Sequence, residues 1–145
     1  MMGIKAKEYL KKIHRIDMKI ANRTYELQQL KSIASSVSAP VNQERVQSSG
    51  RKDKMSCLVD KYVDIEREID SLVKAKQDII KTIEALDGVE YNMLHMIYVQ
   101  QKTYTEVASE IDRSYSTVTS MHSKAIKNLQ KILDKERYND RKSIK

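Results

Sequence analysis

The sequence predicts an all-α protein: a long antiparallel helical hairpin of the coiled-coil type, followed by a helix-turn-helix domain. Three observations carry this. The 145 residues include three Gly, one Pro and no Phe or Trp, while the good helix formers Lys, Glu, Ile and Leu are plentiful. Two long stretches repeat apolar residues in alternating steps of three and four. A third stretch, from Asp112 to Leu129, crowds hydroxyl side chains over an apolar underside of helical spacing.

The first stretch runs Met2, Ala6, Tyr9, Ile13, Ile16, Ile20, Arg23, Leu27, Leu30, Ala34 and Val37. Its 3.5-residue period is that of a coiled-coil seam with one basic interruption. The second runs Met55, Leu58, Tyr62, Ile65, Ile69, Leu72, Lys76, Ile79, Ile83 and Leu86, again with one basic interruption. Between them, residues 35–54 hold Pro40, Gly50 and five serines and read as a flexible loop. Each arm is roughly 50 Å long at helical rise. Residues 1–34 carry eight Lys/Arg against three Asp/Glu, and residues 55–86 carry five against seven. Opposite net charges favour pairing of the arms. With Val37 level with Met55, Lys76 falls near Ile16 and Asp17, and Arg23 near Ile69 and Asp70, where the acids neutralise the interruptions. Val59, Val63, Val73 and Ile80 widen the second stripe beyond what one partner helix covers. Self-association through the hairpin, residues 1–86, is therefore expected.

The chain changes character at "LDGVEYN". Asp87 with Glu90 three residues on is a capping-box pattern, and Gly88 is read as breaking the preceding helix. A helix follows with Met93, Leu94, Ile97 and Tyr98 on its apolar face. Thr103 with Glu106 is a second capping box, opening a short helix with Val107, Ala108 and Ile111 inside. After Asp112 and Arg113, Ser114 caps a third helix carrying Val118, Ala125, Leu129 and Leu133. The domain is bounded at 87–136, and residues 137–145 read as a basic tail.

A short helix, a three-residue turn and a longer helix form a helix-turn-helix, whose second helix enters the major groove of DNA. At that surface long aliphatic side chains hold the backbone away and carboxylates are repelled by phosphate. Hydroxyls are short, uncharged, and both donate and accept. Between Arg113 and Leu133 there is no acid, and Arg113, Lys124, Lys127 and Lys131 are basic. Tyr115, Ser116, Thr119, Ser120 and Ser123 are expected near bases, with Ser114 and Thr117 in the same first turn. Tyr104, Thr105, Arg113, Lys124 and Lys127 are expected at phosphates. Double-stranded DNA is the expected partner.

The segment "LDGVEYNMLHMIYVQQKTYTEVASEIDRSYSTVTSMHSKAIKNLQKIL" resembles region 4 of the sigma-70 family, the domain that binds the −35 promoter element. The matching features are Tyr98-Val99, Thr103-Tyr104, Glu106-Val107-Ala108, Ser116-Thr117-Val118, and Lys124-Ala125 with Leu129. The whole chain further resembles small phage- and prophage-encoded sigma-like proteins. Asp112 and Arg113 stand where the family usually has Gly and an apolar residue, and Met121 and His122 replace a basic residue and a Leu. No counterpart of the region that melts the −10 element is present. The resemblance implies a phage-encoded transcriptional regulator, with host RNA polymerase as a further partner. Two alternatives are a DNA-packaging subunit of the small-terminase kind and a polymerase-binding adaptor that never touches DNA.

Other chemistry is not indicated. Cys57 is single and reads as a small apolar residue in a reducing, cytoplasmic setting. His14, His95 and His122 lack ligand partners at metal spacing, and His122 falls on the inner face of its helix. No phosphate loop, nucleophile elbow or HExxH motif occurs. No enzymatic activity, cofactor or membrane association is expected.

Overall fold

The computed structural model describes residues 5–37 and 48–143, with side chains for 5–36 and 54–139. Its elements are α1 (Ala6–Val37), α2 (Ser48–Ile83), α3 (Gly88–Leu94), a π-helical segment (His95–Val99), α4 (Tyr104–Ile111) and α5 (Tyr115–Ser143). Among the described residues there is no strand. Three expectations shift. Helix extends to Val37 and resumes at Ser48, so the predicted loop 35–54 is helical at both ends; Pro40 lies outside the described residues. The predicted basic tail is helical as far as Ser143. The break after α2 falls at Glu84–Asp87, and Gly88 starts α3 without a positive φ; its flexibility is not what ends α2.

The chain divides into two compact units, Met1–Ile16 with Ala75–Lys145, and Asp17–Lys74. These divisions fall between Ile16 and Asp17 and between Lys74 and Ala75, whereas the sequence reading places a boundary at residue 86. Among the described residues, the first turns of α1 and the whole of α5 belong to the first unit.

That unit has two apolar clusters on either side of α3. One joins Ala6, Leu10 and Ile13 of α1, Ile79 and Ile83 of α2, Leu86, Leu94, and Ala125, Leu129 and Leu133 of α5. The other joins Met93, Met96, Val107, Ala108 and Val118. Leu94 faces the first while Met93 and Met96 face the second. The π segment widens the backbone turn there, with Gln100 N–H donating to the His95 carbonyl at 2.9 Å. Polar contacts tie the same helices. Tyr9 donates to Thr82 Oγ1 at 2.9 Å, and the Ala6 N–H donates to Gln130 Oε1 at 2.7 Å. Asn128 donates to both carboxylate oxygens of Glu90, at 3.0 and 2.7 Å. Glu90 is thus drawn to α5, and the predicted box at Asp87 keeps only its first half: the Glu90 N–H donates to Asp87 Oδ1 at 2.9 Å.

In the second unit Arg23 Nε donates to Glu68 Oε2 at 2.7 Å, and its Nη1 reaches Glu26 Oε2 at 2.9 Å. Glu68 and Glu26 take the place expected for Asp70. These ion pairs lie at the solvent surface, where water and salt screen them. Lys31 Nζ stands 5.8 Å from the centre of the Tyr62 ring. Ile20, Leu27, Leu30, Leu58, Tyr62, Ile65, Ile69 and Leu72 are all only half-buried. An apolar groove of about 430 Å³ opens between Leu30, Ala34, Met55, Leu58, Val59 and Tyr62.

Candidate nucleic-acid interface

Helix α4 begins with a complete capping box. The Glu106 N–H donates to Thr103 Oγ1 at 3.2 Å, and the Thr103 N–H donates to Glu106 Oε1 at 2.8 Å. The Thr103 N–H bonded to its carboxylate, followed by the Thr103 side chain, holds Glu106 below the ordinary glutamate range. The helix ends on Asp112 in the left-handed conformation, φ 57° and ψ 51°. The Arg113 N–H donates to the Ala108 carbonyl at 3.0 Å and the Asp112 N–H to that of Ser109 at 3.4 Å, the Schellman pattern that closes a helix C-terminus. Asp serves where Gly is usual because its short polar side chain tolerates φ > 0 better than most.

Ser114 caps α5. Its Oγ accepts the Thr117 N–H at 3.1 Å and lies 2.9 Å from Thr117 Oγ1. Val118, Ala125 and Leu129 of α5 are fully buried. Ser116, Ser120, Ser123, Lys124 and Lys127 are exposed on the opposite side. At about 100° per residue, Ser116, Ser120, Ser123 and Lys127 form one stripe.

Of the predicted contacts, Thr105, Arg113, Ser114, Tyr115, Ser116, Ser120, Ser123, Lys124 and Lys127 are exposed. Three others are turned to local tasks. Thr117 is half-buried in the cap of α5. Thr119 donates to the Ser116 carbonyl at 2.9 Å. Tyr104, expected at phosphate, is half-buried with its hydroxyl 3.4 Å from His122 Nδ1.

His122 is the polar member of the underside, 7% exposed. Its Nε2 lies 2.7 Å from the Tyr98 hydroxyl. Burial, reinforced by the positive charge of Lys7, pushes its pKa below the ordinary histidine value. The neutral ring offers one donor and one acceptor nitrogen, and a hydroxyl stands at each. Burial pushes Tyr98 up to about 12, so it stays protonated. Tyr104 in turn stacks its ring edge near Tyr115, centroids 5.9 Å apart. The sequence places His122 inward, but nothing in its spacing marks Tyr98 and Tyr104 as its partners. Lys102 and Glu110 form an ion pair flanking α4. Among the described residues no cluster of His, Cys, Asp and Glu is arranged to hold a metal ion. Nor is any described helix long and apolar enough to cross a membrane.

The profile of the family described as "Protein of unknown function (DUF1492)" matches residues 33–130. The chain belongs to this family. The span matched to DUF1492 takes in α3, α4 and the exposed stripe of α5. No curated protein and no solved structure matches the chain.

Proposed function

We propose that this DUF1492 member is a DNA-binding transcriptional regulator whose α4, turn and α5 act as a helix-turn-helix, with α5 read into the major groove. One observation carries the reading: α5 is divided lengthwise into a sealed apolar side and an exposed side of hydroxyls and lysines without an acid from Arg113 to Leu133. An exposed helix of this composition fits a groove about 12 Å wide and the phosphates at its edges. Ser116, Ser120 and Ser123 contact base edges, with Tyr115 beside them, and Arg113, Lys124, Lys127 and Thr105 contact the backbone. Tyr104 and Thr117 act indirectly, by holding Tyr115 and the start of α5. The likeness to sigma region 4 agrees with this and favours a phage-type regulator working at promoters, with host RNA polymerase as a partner.

The same reading makes α1 and α2 an antiparallel hairpin that mediates self-association. The pairs Tyr9–Thr82, Arg23–Glu68 and Lys31–Tyr62 support the pairing. The half-buried seam and the groove at Met55 and Val59 support the oligomer.

The test is selection of bound duplexes from a random pool, followed by titration at several salt concentrations. Lys124→Ala and Lys127→Ala each weaken binding to every sequence and lower the salt slope by about one. Ser120→Ala changes the preferred sequence and leaves the slope alone. No enrichment and no duplex binding at low salt would refute the reading. A measured dimer or tetramer supports regulation, whereas a ring of eight or more subunits points to packaging.

A further inference from the structure

We propose that the first turns of α1 form a second phosphate-binding edge of the same DNA interface, through Lys7 and Lys11. This rests on the DNA-binding reading above. The two lysines stand over a hundred residues from α5 in sequence and precede the span matched by the family profile. Packing brings them alongside it.

Ala6, Leu10 and Ile13 form the inner face of α1, and they share a cluster with Ala125, Leu129 and Leu133 of α5. The Ala6 N–H donates to the Gln130 side chain. Gln130 lies seven residues beyond Ser123, within about 20° of it around the helix. The start of α1 therefore packs on the sealed side of α5 and reaches the edge of the exposed stripe at Gln130. Helical spacing splits the remaining α1 side chains into two flanks: Lys7, Lys11 and His14 on one, Lys12 and Tyr9 on the other. Tyr9 bonds Thr82 of α2, so its flank turns toward α2 and the Lys7–Lys11 flank turns away from it. The electrostatic influence of Lys7 on His122 agrees, since His122 belongs to the first half of α5.

Lys7, Lys11 and His14 are exposed. The exposed acid of these turns, Glu8, stands about 60° from Lys11 and about 100° from Lys7 around the helix, and it meets Arg15 at 3.9 Å. Asp134 accepts from the Gln130 amide at 3.2 Å and follows the acid-free stretch that ends at Leu133. Packed helices are about 8–10 Å apart, and the major groove is about 12 Å wide. A helix packed beside one seated in the groove thus lies over the flanking sugar-phosphate strand. Lysines at that height meet phosphates and read no bases.

The experiment compares two full-length double variants of equal charge change, Lys7→Ala/Lys11→Ala and Lys5→Ala/Lys12→Ala; Lys5, whose carbonyl accepts from the Tyr9 N–H, falls on the Lys12 flank by the same spacing. Binding to a selected duplex is measured from low to moderate salt, with circular dichroism to verify folding. In the first variant the salt slope falls by about 1.8, at about 0.9 per lost phosphate contact, and the sequence preference is unchanged. The second keeps the wild-type slope. Equal effects from both variants, or a wild-type slope in the first, would overturn this proposal while leaving α5 as the reader. Failure of the wild-type chain to bind any duplex would overturn both.

Discussion

Leu10 sets the sharpest test of how the first turns of α1 are joined to α5. Its side chain is fully buried among α2 and α5 residues, although Ala6, Tyr9 and Ile13 were the seam positions expected there. Leu10→Ala removes three carbon groups, worth about 2.4 kcal/mol at about 0.8 kcal/mol each. The residual cavity raises the cost toward the range of about 2–5 kcal/mol seen for buried leucines. Taking about 3 kcal/mol, and a urea dependence of about 2 kcal/mol per molar, the midpoint falls by about 1.5 M. Leu27→Ala is the comparison, because Leu27 is half-buried in the other unit and should cost about half as much or less. Circular dichroism at 222 nm reads the midpoint. Hydrogen exchange locates the effect: the most protected α5 amides around Ala125 and Leu129 exchange about a hundredfold faster in Leu10→Ala, at about 1.4 kcal/mol per factor of ten. If α5 protection is unchanged, or Leu27→Ala costs as much, the first turns of α1 are not part of the core that supports α5.

Two further outcomes follow from the turn and the underside. The folded-state pKa of His122 is depressed by burial and by Lys7, so the unfolded chain binds the proton more readily. Its contribution to stability is complete above the ordinary histidine value of about 6.5 and is lost as pH falls through the lower folded value. Denaturation midpoints should fall across that window in the wild type, and the slope there should flatten in His122→Phe. Asp112→Val places a β-branched residue at φ 57° and costs about 1–2 kcal/mol. A melting temperature lower by about 4 °C is expected, whereas Asp112→Gly melts close to the wild type.

The all-helical class was legible because it needs only local information. Few Gly and Pro and a helical apolar period persist whatever the helices pack against. The start of α4 was legible for the same reason, since Thr103 and Glu106 satisfy each other within one turn. Glu90 shows the limit of that logic. It has the same spacing from Asp87, yet Asn128 on α5 draws its carboxylate away. Tyr104 is another case, because its inward turn depends on His122, eighteen residues on.

By itself the sequence determined the helices, the capping of α4 and α5, and which side of α5 is apolar, since each follows from propensity and periodicity along one segment. Only tertiary structure decided that residues 6–13 complete the core beneath α5, that Glu68 meets Arg23, and that Tyr98 and Tyr104 bracket His122. Those contacts join residues far apart in the chain. Their partners are set by how apolar faces fit together, a property that no single stretch of residues carries.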